Sequence, residues 1–317
     1  MANVHGFVQD IMLQKYTRLL APTLESFIAD RVFPATDVPT KTGRYYDVAG
    51  GFASQSPGHG MVMADGQASP LLVSTTINKV QGWEVELNGL GCQISKSSAE
   101  YASGNGLDLR KAKAAILARE TAIIRERQAA AIAFSPVVFA GATAALAGPS
   151  QWSNAASDPI ADAQTARTSI MTRSGEGPTT LIVNHLVYAA LRQHPLLVEF
   201  SSRVRHSSGL VSYDDIAAAL DVDEIIVGSA VGNTAVEGQP AANAFIWGNG
   251  ALFCRLRQSP APMTPQSCLQ RWRFQGSTDG AIRRWEPTPY VEEIDMLWND
   301  QFSAPTPALG YLYTTVV

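Results

Sequence analysis

Residues 107–134, LDLRKAKAAILARETAIIRERQAAAIAF, constrain this chain more than any other stretch. Nearly every residue in it is a strong helix former, and it holds neither glycine nor proline. Asn105-Gly106 with Asp108 supplies a start signal and Pro136 a stop. At the rise of an α-helix such a run extends about 40 Å, longer than a small domain is wide. Ala112, Ile116, Ile123 and Ala130 line up as one stripe, widened by Leu117, Ile124 and Ala131. The remaining face carries Arg110, Lys111, Lys113, Arg119, Arg125 and Arg127 against Asp108, Glu120 and Glu126. A long surface helix laid on a sheet, its charged face in water and mildly basic, is the expected structure.

Upstream lies a second unusual stretch. Residues 47–76 are rich in Gly, Ser, Pro, Ala and Gln and almost free of charge. A loop of that length inside a compact domain usually carries function. Its flanks alternate as strands do: Tyr45, Tyr46 and Val48 on the way out, then Val73, Thr75, Ile77, Trp83, Val85 and Leu87 on the way back. The two form a long antiparallel ribbon, marginal alone in water and in need of a neighbouring surface. Before it, residues 7–31 space Phe7, Ile11, Leu19, Leu20, Leu24, Phe27 and Ile28 helically around Pro22. Two short helices, or one helix and a docked arm, are expected there.

Downstream the pattern alternates. Asp158-Pro159 caps a helix to about Arg173 before Gly175 and Gly177; Thr180–Val183 is a buried strand; Leu186–Gln193 is a helix ending at His194-Pro195. Ser212 caps a helix through Leu220, and Glu224–Val227 follows as a strand. Further strands are expected over 244–257, 269–275, 290–294 and 311–317.

Composition restricts function more than fold. Charged residues are 16%, against roughly 25% in ordinary soluble domains, so much surface is expected to be covered by other subunits. A net charge of -4 argues against a dedicated nucleic-acid binder. Cys92, Cys254 and Cys268 show no metal-type spacing and read as reduced, buried apolar residues. Residues 128–157 lack charge but have alanine as their dominant residue and are broken by Pro136 and Pro149, so no membrane span is expected; the N-terminus shows no secretory leader.

Catalytic chemistry is not apparent. There is no Walker-type, dinucleotide-binding or serine-elbow motif. His5, His59, His185, His194 and His206 are scattered, and His185 and His194 read as core or cap residues. Asp221, Asp223 and Glu224 read as a solvated turn, while Glu84 and Glu86 have no partner acid or base. No residue is therefore assigned a catalytic, cofactor-binding or metal-binding role, and no cofactor is expected.

Three segments in order resemble the major capsid proteins of tailed phages, the family with the Hong Kong 97-type fold. Ala29-Asp30-Arg31-Val32-Phe33-Pro34 followed by Gly43-Arg44-Tyr45-Tyr46 is similar to an N-terminal arm entering an extended loop. The helix with Ala118-Arg119-Glu120 is similar to the spine helix, and Trp152, Asp158-Pro159, Thr180–Val183, Leu191 and His194-Pro195 to the start of the axial domain. The resemblance implies an α+β fold: arm 1–44, extended β-hairpin loop 45–88, peripheral domain 89–149 and 284–317 with spine helix 107–134, and axial α/β domain 150–283. It implies a structural protein and no enzyme, one that assembles with itself as hexamers and pentamers into an icosahedral virion shell enclosing double-stranded DNA. Implied partners are a portal protein, a decoration protein, and packaged DNA held without sequence preference; no membrane is involved, and assembly takes place in the host bacterial cytoplasm. Because only 44 residues precede the loop, without heptads, a separate scaffolding protein and no trimming of this chain are expected. No lysine lies in 47–76, so covalent cross-linking is not expected, Lys79 being the nearest candidate. Two alternatives stand beside this one: an encapsulin-like nanocompartment shell packaging an enzyme, and an α/β hydrolase using Ser and His from 180–215.

Overall fold

A computed structural model gives the fold and describes residues 8–9, 26–47, 78–104, 107–205, 211–236, 238–258, 267–275 and 281–317. In chain order the strands are β1 Val8–Gln9, β2 Ala35–Val38, β3 Thr42–Asp47, β4 Asn78–Glu84, β5 Leu87–Ser95, β6 Thr143–Ala145, β7 Thr180–Asn184, β8 Glu224–Gly228, β9 Val231–Asn233, β10 Asn243–Phe245, β11 Ala251–Cys254, β12 Gln270–Phe274, β13 Ala281–Thr288, β14 Val291–Ser303 and β15 Gly310–Thr314. The helices are α1 Ala29–Val32, α2 Lys96–Gly104, α3 Leu109–Ala133, α4 Pro159–Ser174, α5 His185–Gln193, α6 Pro195–Arg205 and α7 Tyr213–Ala219.

Two sheets organise the molecule. One runs β6-β15-β11-β7-β8 and contains the parallel pair β7/β8, joined through α5, α6 and α7. In β7, Leu181 and Val183 enter one apolar cluster with Ile170, Val187, Leu191 and Phe253. Ile182 enters another, with Val32, Phe33, Ala129, Trp247 and Leu312. A strand with both faces covered reads as a continuous apolar run. The other sheet runs β1-β13-β14-β12-β2, with β5 also paired to β14. Its long central strand β14 meets β13 and β5 at one end and β12 at the other. The first half of α3 lies on this sheet through Ala114 and Leu117 against Ile94, Ile282 and Ile294. Sheet membership crosses the sequence boundaries at 149/150 and 283/284: β6 and β15 join the β7 sheet, and β12 joins the β14 sheet.

The strongest sequence signals appear as read. Asp108 caps α3 by accepting from the Lys111 amide at 3.2 Å. Asp158 caps α4 by accepting from Ile160 and Ala161, Pro159 fills its first turn, and Gly175 ends it at φ 77. β3 and β4 pair antiparallel from Thr42↔Glu84 outward, which is the root of the expected ribbon. Its tip, with Val48, Val73, Thr75 and Ile77, lies outside the described residues, as do residues 10–25 of the arm.

Other expectations are corrected. Residues 8–9, within the span expected to be helical, are paired as strand with β13, and 29–32 is helical; residues 10–25 of that span lie outside the described residues. The buried face of α3 is Ala114, Leu117, Thr121, Glu126, Ala129, Ala130 and Ala133, whereas Ile116 and Ala131 are exposed. With alanines on every side of the helix, residue type alone does not fix the face. His194-Pro195 ends α5 and immediately begins α6, because proline is as suited to a first helical turn as it is unsuited to an interior. The span 244–257 splits into β10 and β11, and the expected short strand at 290–294 is the 13-residue β14.

Candidate assembly surfaces

The arm is fastened to the body where α1 crosses α3. Ile28, Ala29, Val32 and Phe33 are buried with Ala129, Ala130 and Ala133, and Phe33 meets Phe302 edge to face at 5.0 Å. The small alanines let the backbones approach. Glu126, 1% exposed, ties three segments together. It accepts from the Ala29 amide at 2.6 Å and from Trp247 Nε1 at 2.5 Å. Burial pushes its carboxyl above the ordinary glutamate range, against the pull of these hydrogen bonds.

Around this joint runs an ion network. Arg125 reaches Asp30 at 3.1 Å and Asp300 at 2.8 Å; Arg271 reaches the same two carboxylates at 2.9 and 3.4 Å. Asp300 is buried on β14, so the network joins arm, spine helix, β12 and β14. Nearby, Arg31 pairs with Glu224 at 2.5 Å on the exposed side.

The ribbon has a stiff root. Trp83 on β4 stacks on Trp272 of β12, centroids 5.1 Å apart, and donates from Nε1 to the Thr40 carbonyl at 3.2 Å. Gly43 is demanded by that ring, since a Cβ there would lie 2.0 Å from Trp83 Cζ2. Val85 donates to Lys41 O, and the Glu84 amide to Gln301 Oε1, both at 2.8 Å. Arg273 grips Asp37 with two hydrogen bonds, which hold the Asp37 carboxyl below its usual range. The ribbon therefore leaves the body in a set direction.

Large apolar side chains remain in water at several places. Tyr101 of α2, Leu107 before α3, Ile116 of α3 and Tyr290 at the β13–β14 turn are exposed. So are Val231 and Val236 near the β9–β10 hairpin, and Leu186 on α5.

The polar residues singled out in the sequence take structural positions. His194 is buried; its Nδ1 accepts from the Leu196 amide at 3.3 Å, capping α6, and its Nε2 lies 3.1 Å from Ser157 Oγ and 3.2 Å from Asn154 O. Since Nδ1 accepts, a neutral ring carries its proton on Nε2 and donates there. Ser157 Oγ in turn donates to Asn154 O at 2.8 Å, so this Ser–His pair is not arranged for the imidazole to take the serine proton. His185 packs against Phe245, centroids 6.1 Å apart. Asp221 pairs with Arg167 and Glu224 with Arg31, which disperses the acidic cluster. Glu84 ends β4 and Glu86 follows it; both border a cleft of about 360 Å³ with Asn88, Gln128 and Asp300. Cys254 and Cys268 are buried free thiols, whereas Cys92 is half-buried. His5, His59 and His206 lie outside the described residues, and so does the side chain of Lys79. Sequence reasoning missed Glu126, although its spacing to Ala129, Ala130 and Ala133 puts it on one helical face. Among the described residues no helix is long and apolar enough to cross a membrane.

No protein-family profile matches the chain. It is 27% identical over 232 residues to the major capsid protein of Pseudomonas phage JBD67, covering 71% of each chain. To the major capsid protein of Burkholderia phage BcepMu it is 29% identical over 109 residues, a stretch that spans only 34% of that protein. Among solved structures, a phage-related protein from Bordetella bronchiseptica superposes with a TM-score of 0.71 at 20% identity, over 98% of both chains. A virus-like particle from Pyrococcus furiosus follows at 0.56 and 14% identity, over 95% of this chain and 97% of that one. Long strut helix, rooted ribbon and mixed sheet are thus the α+β Hong Kong 97-type capsid fold. Both of these curated relatives are phage major capsid proteins, and they are what the chain is similar to in sequence.

Proposed function

We propose that this chain is the repeated wall subunit of a tailed-phage head, closing as hexamers and pentamers into an icosahedral shell around double-stranded DNA. The observation that carries this is the likeness to a phage major capsid protein across 71% of both chains. The geometry supports it: a stiffly rooted ribbon, an arm tied down at one joint, and exposed apolar residues on separate faces suit a subunit with several neighbours. Hydrophobic contacts would supply affinity and charge pairs register. Its role is structural and not catalytic, in keeping with the buried, capping His194.

The finer reading divides the chain into arm 1–44, extended loop 45–88, peripheral domain 89–149 and 284–317, and axial domain 150–283, with strands exchanged between the last two. Arm and loop make the contacts between capsomers, and the axial loops those around each capsomer axis. A separate scaffolding protein and a portal protein guide assembly in the host cytoplasm, and the basic side of α3 brushes the packaged DNA.

The test is expression with and without the neighbouring head genes, followed by negative-stain microscopy and nucleic-acid assay of the particles. Closed shells that fill with DNA when the packaging genes are present are expected. A subunit that stays monomeric under all conditions overturns the shell reading. Shells that exclude DNA and retain one folded protein cargo would replace it with the nanocompartment.

A further inference from the structure

Cys254 and Cys268 are fully buried, free, and brought together by the fold from opposite sides of the segment 255–267. Cys254 ends β11, where its cross-strand partner is Gly310 of β15. The backbone of Cys268 adjoins the next residue along, its amide donating to Arg255 O at 3.0 Å. The Phe139 ring and the Cys268 sulfur together occupy the place a side chain at 310 would take: a Cβ on Gly310 would lie 2.4 Å from Phe139 Cε1 and 2.8 Å from Cys268 Sγ. Cross-strand partners point to the same face of a sheet, so the Cys268 sulfur lies on the face of Cys254, within the one buried apolar cluster to which both belong. Cys92 belongs to β5, in the other sheet. Adjacent backbones with both side chains on one face are the starting arrangement for a disulfide.

We propose that Cys254 and Cys268 form a redox-timed staple: a dithiol in the reducing cytoplasm and an intrachain disulfide after exposure to an oxidising medium. The timing rests on the shell reading above; the bond itself does not. In the reaction both S–H bonds break and one S–S bond forms. Two protons and two electrons pass to a small oxidant, dioxygen becoming hydrogen peroxide outside the cell, or diamide becoming its hydrazine in the test. Burial keeps bulky glutathione away from either sulfur and disfavours the reactive thiolate, so the dithiol persists during assembly and reacts only as the site opens locally. Once formed, the disulfide is shielded from reductants by the same burial. It would close the ring through 255–267 and remove freedom from the unfolded chain.

The purified subunit is treated with diamide under native conditions, unfolded, alkylated, and mapped without reduction. A linked Cys254–Cys268 peptide is expected while Cys92 is alkylated, with the melting temperature raised by roughly 3–10 °C. The rise should vanish after reduction of the unfolded protein and should be absent in Cys254→Ala and Cys268→Ala, each checked for native circular dichroism. Alkylation of both residues after prolonged treatment overturns the proposal, as does a bond through Cys92 or a linked pair that lowers the melting temperature. Mapping wild-type particles directly after purification in air tests the timing separately. Linked peptides from particles and free thiols from freshly lysed cells support it, and free thiols in both refute it. Because the bond is mapped on the subunit, a failure to assemble leaves its outcome readable.

Discussion

Glu126 is the residue whose replacement should be felt in most places at once. It is buried on α3, and its two oxygens receive the Ala29 amide and the Trp247 indole. Replacing it with leucine leaves two N–H donors without their acceptor. At about 1–3 kcal/mol for each unsatisfied donor, the loss is about 2–6 kcal/mol, reduced by the relief of a buried carboxylate. Glu126→Gln keeps one acceptor oxygen but turns an NH2 group toward the second donor, so about half that cost is expected. Urea unfolding of the unassembled subunit measures both, and hydrogen exchange at Ile28–Phe33 shows whether the arm loosens first. Glu126→Leu within about 0.5 kcal/mol of wild type, with unchanged exchange in the arm, would refute the assignment of Glu126 as the joint.

The pH dependence carries a sign of its own. Burial raises the Glu126 carboxyl above its unfolded value, so the folded state binds this proton more tightly than the unfolded one. Its contribution is therefore fully present below the unfolded pKa and is lost as pH rises through the raised folded value. Wild type should lose stability relative to Glu126→Gln across that window, and the difference should be flat above it. A difference that grows toward acid instead would mean that the hydrogen bonds outweigh burial.

Two further substitutions probe neighbouring links. Asp158→Ala removes the acceptor for the Ile160 and Ala161 amides at the start of α4; it should cost about 1 kcal/mol in urea melts, and Asp158→Asn should restore most of it. Asp300→Ala takes from Arg125 and Arg271 the buried carboxylate they share; a loss of about 3–5 kcal/mol is expected, and thermal unfolding within about 1 °C of wild type would show that the network contributes little.

The ends of elements were legible because they are encoded locally. Asp108, Asp158 and Ser212 each cap a helix with their own side chain, and Gly175 takes the left-handed backbone that ends α4. β7 was legible for a different reason: with both faces covered, it needs no alternation, and Leu181-Ile182-Val183 stands out as a run. The orientation of α3 was not. A run such as Gln128-Ala129-Ala130-Ala131 leaves no apolar contrast between faces, so packing partners far along the chain decide which alanine is inside.

The residues that fasten the arm, and the true length of β14, were hidden by one assumption: that acids point to water. On β14 the buried positions include Glu292, Ile294, Trp298, Asp300 and Phe302, a regular alternation with acids in two of its places. Read by residue type, the pattern starts only at Ile294 and, after Met296 and Trp298, is broken at Asp300. Read by charge pairing, it continues, because Arg110 and Arg284 reach Glu292 while Arg125 and Arg271 reach Asp300. Glu126 breaks the same rule on α3, with an amide and an indole in place of arginines. In each case the acid's partners lie on other elements, and most are far away in sequence. An acid buried by distant partners fixes how elements meet, since it is tolerated only when every partner arrives together. On the shell reading proposed above, the arm and ribbon are to be held at set angles before neighbours close on them. Joints that local sequence cannot specify, and that form only in the complete fold, meet that requirement.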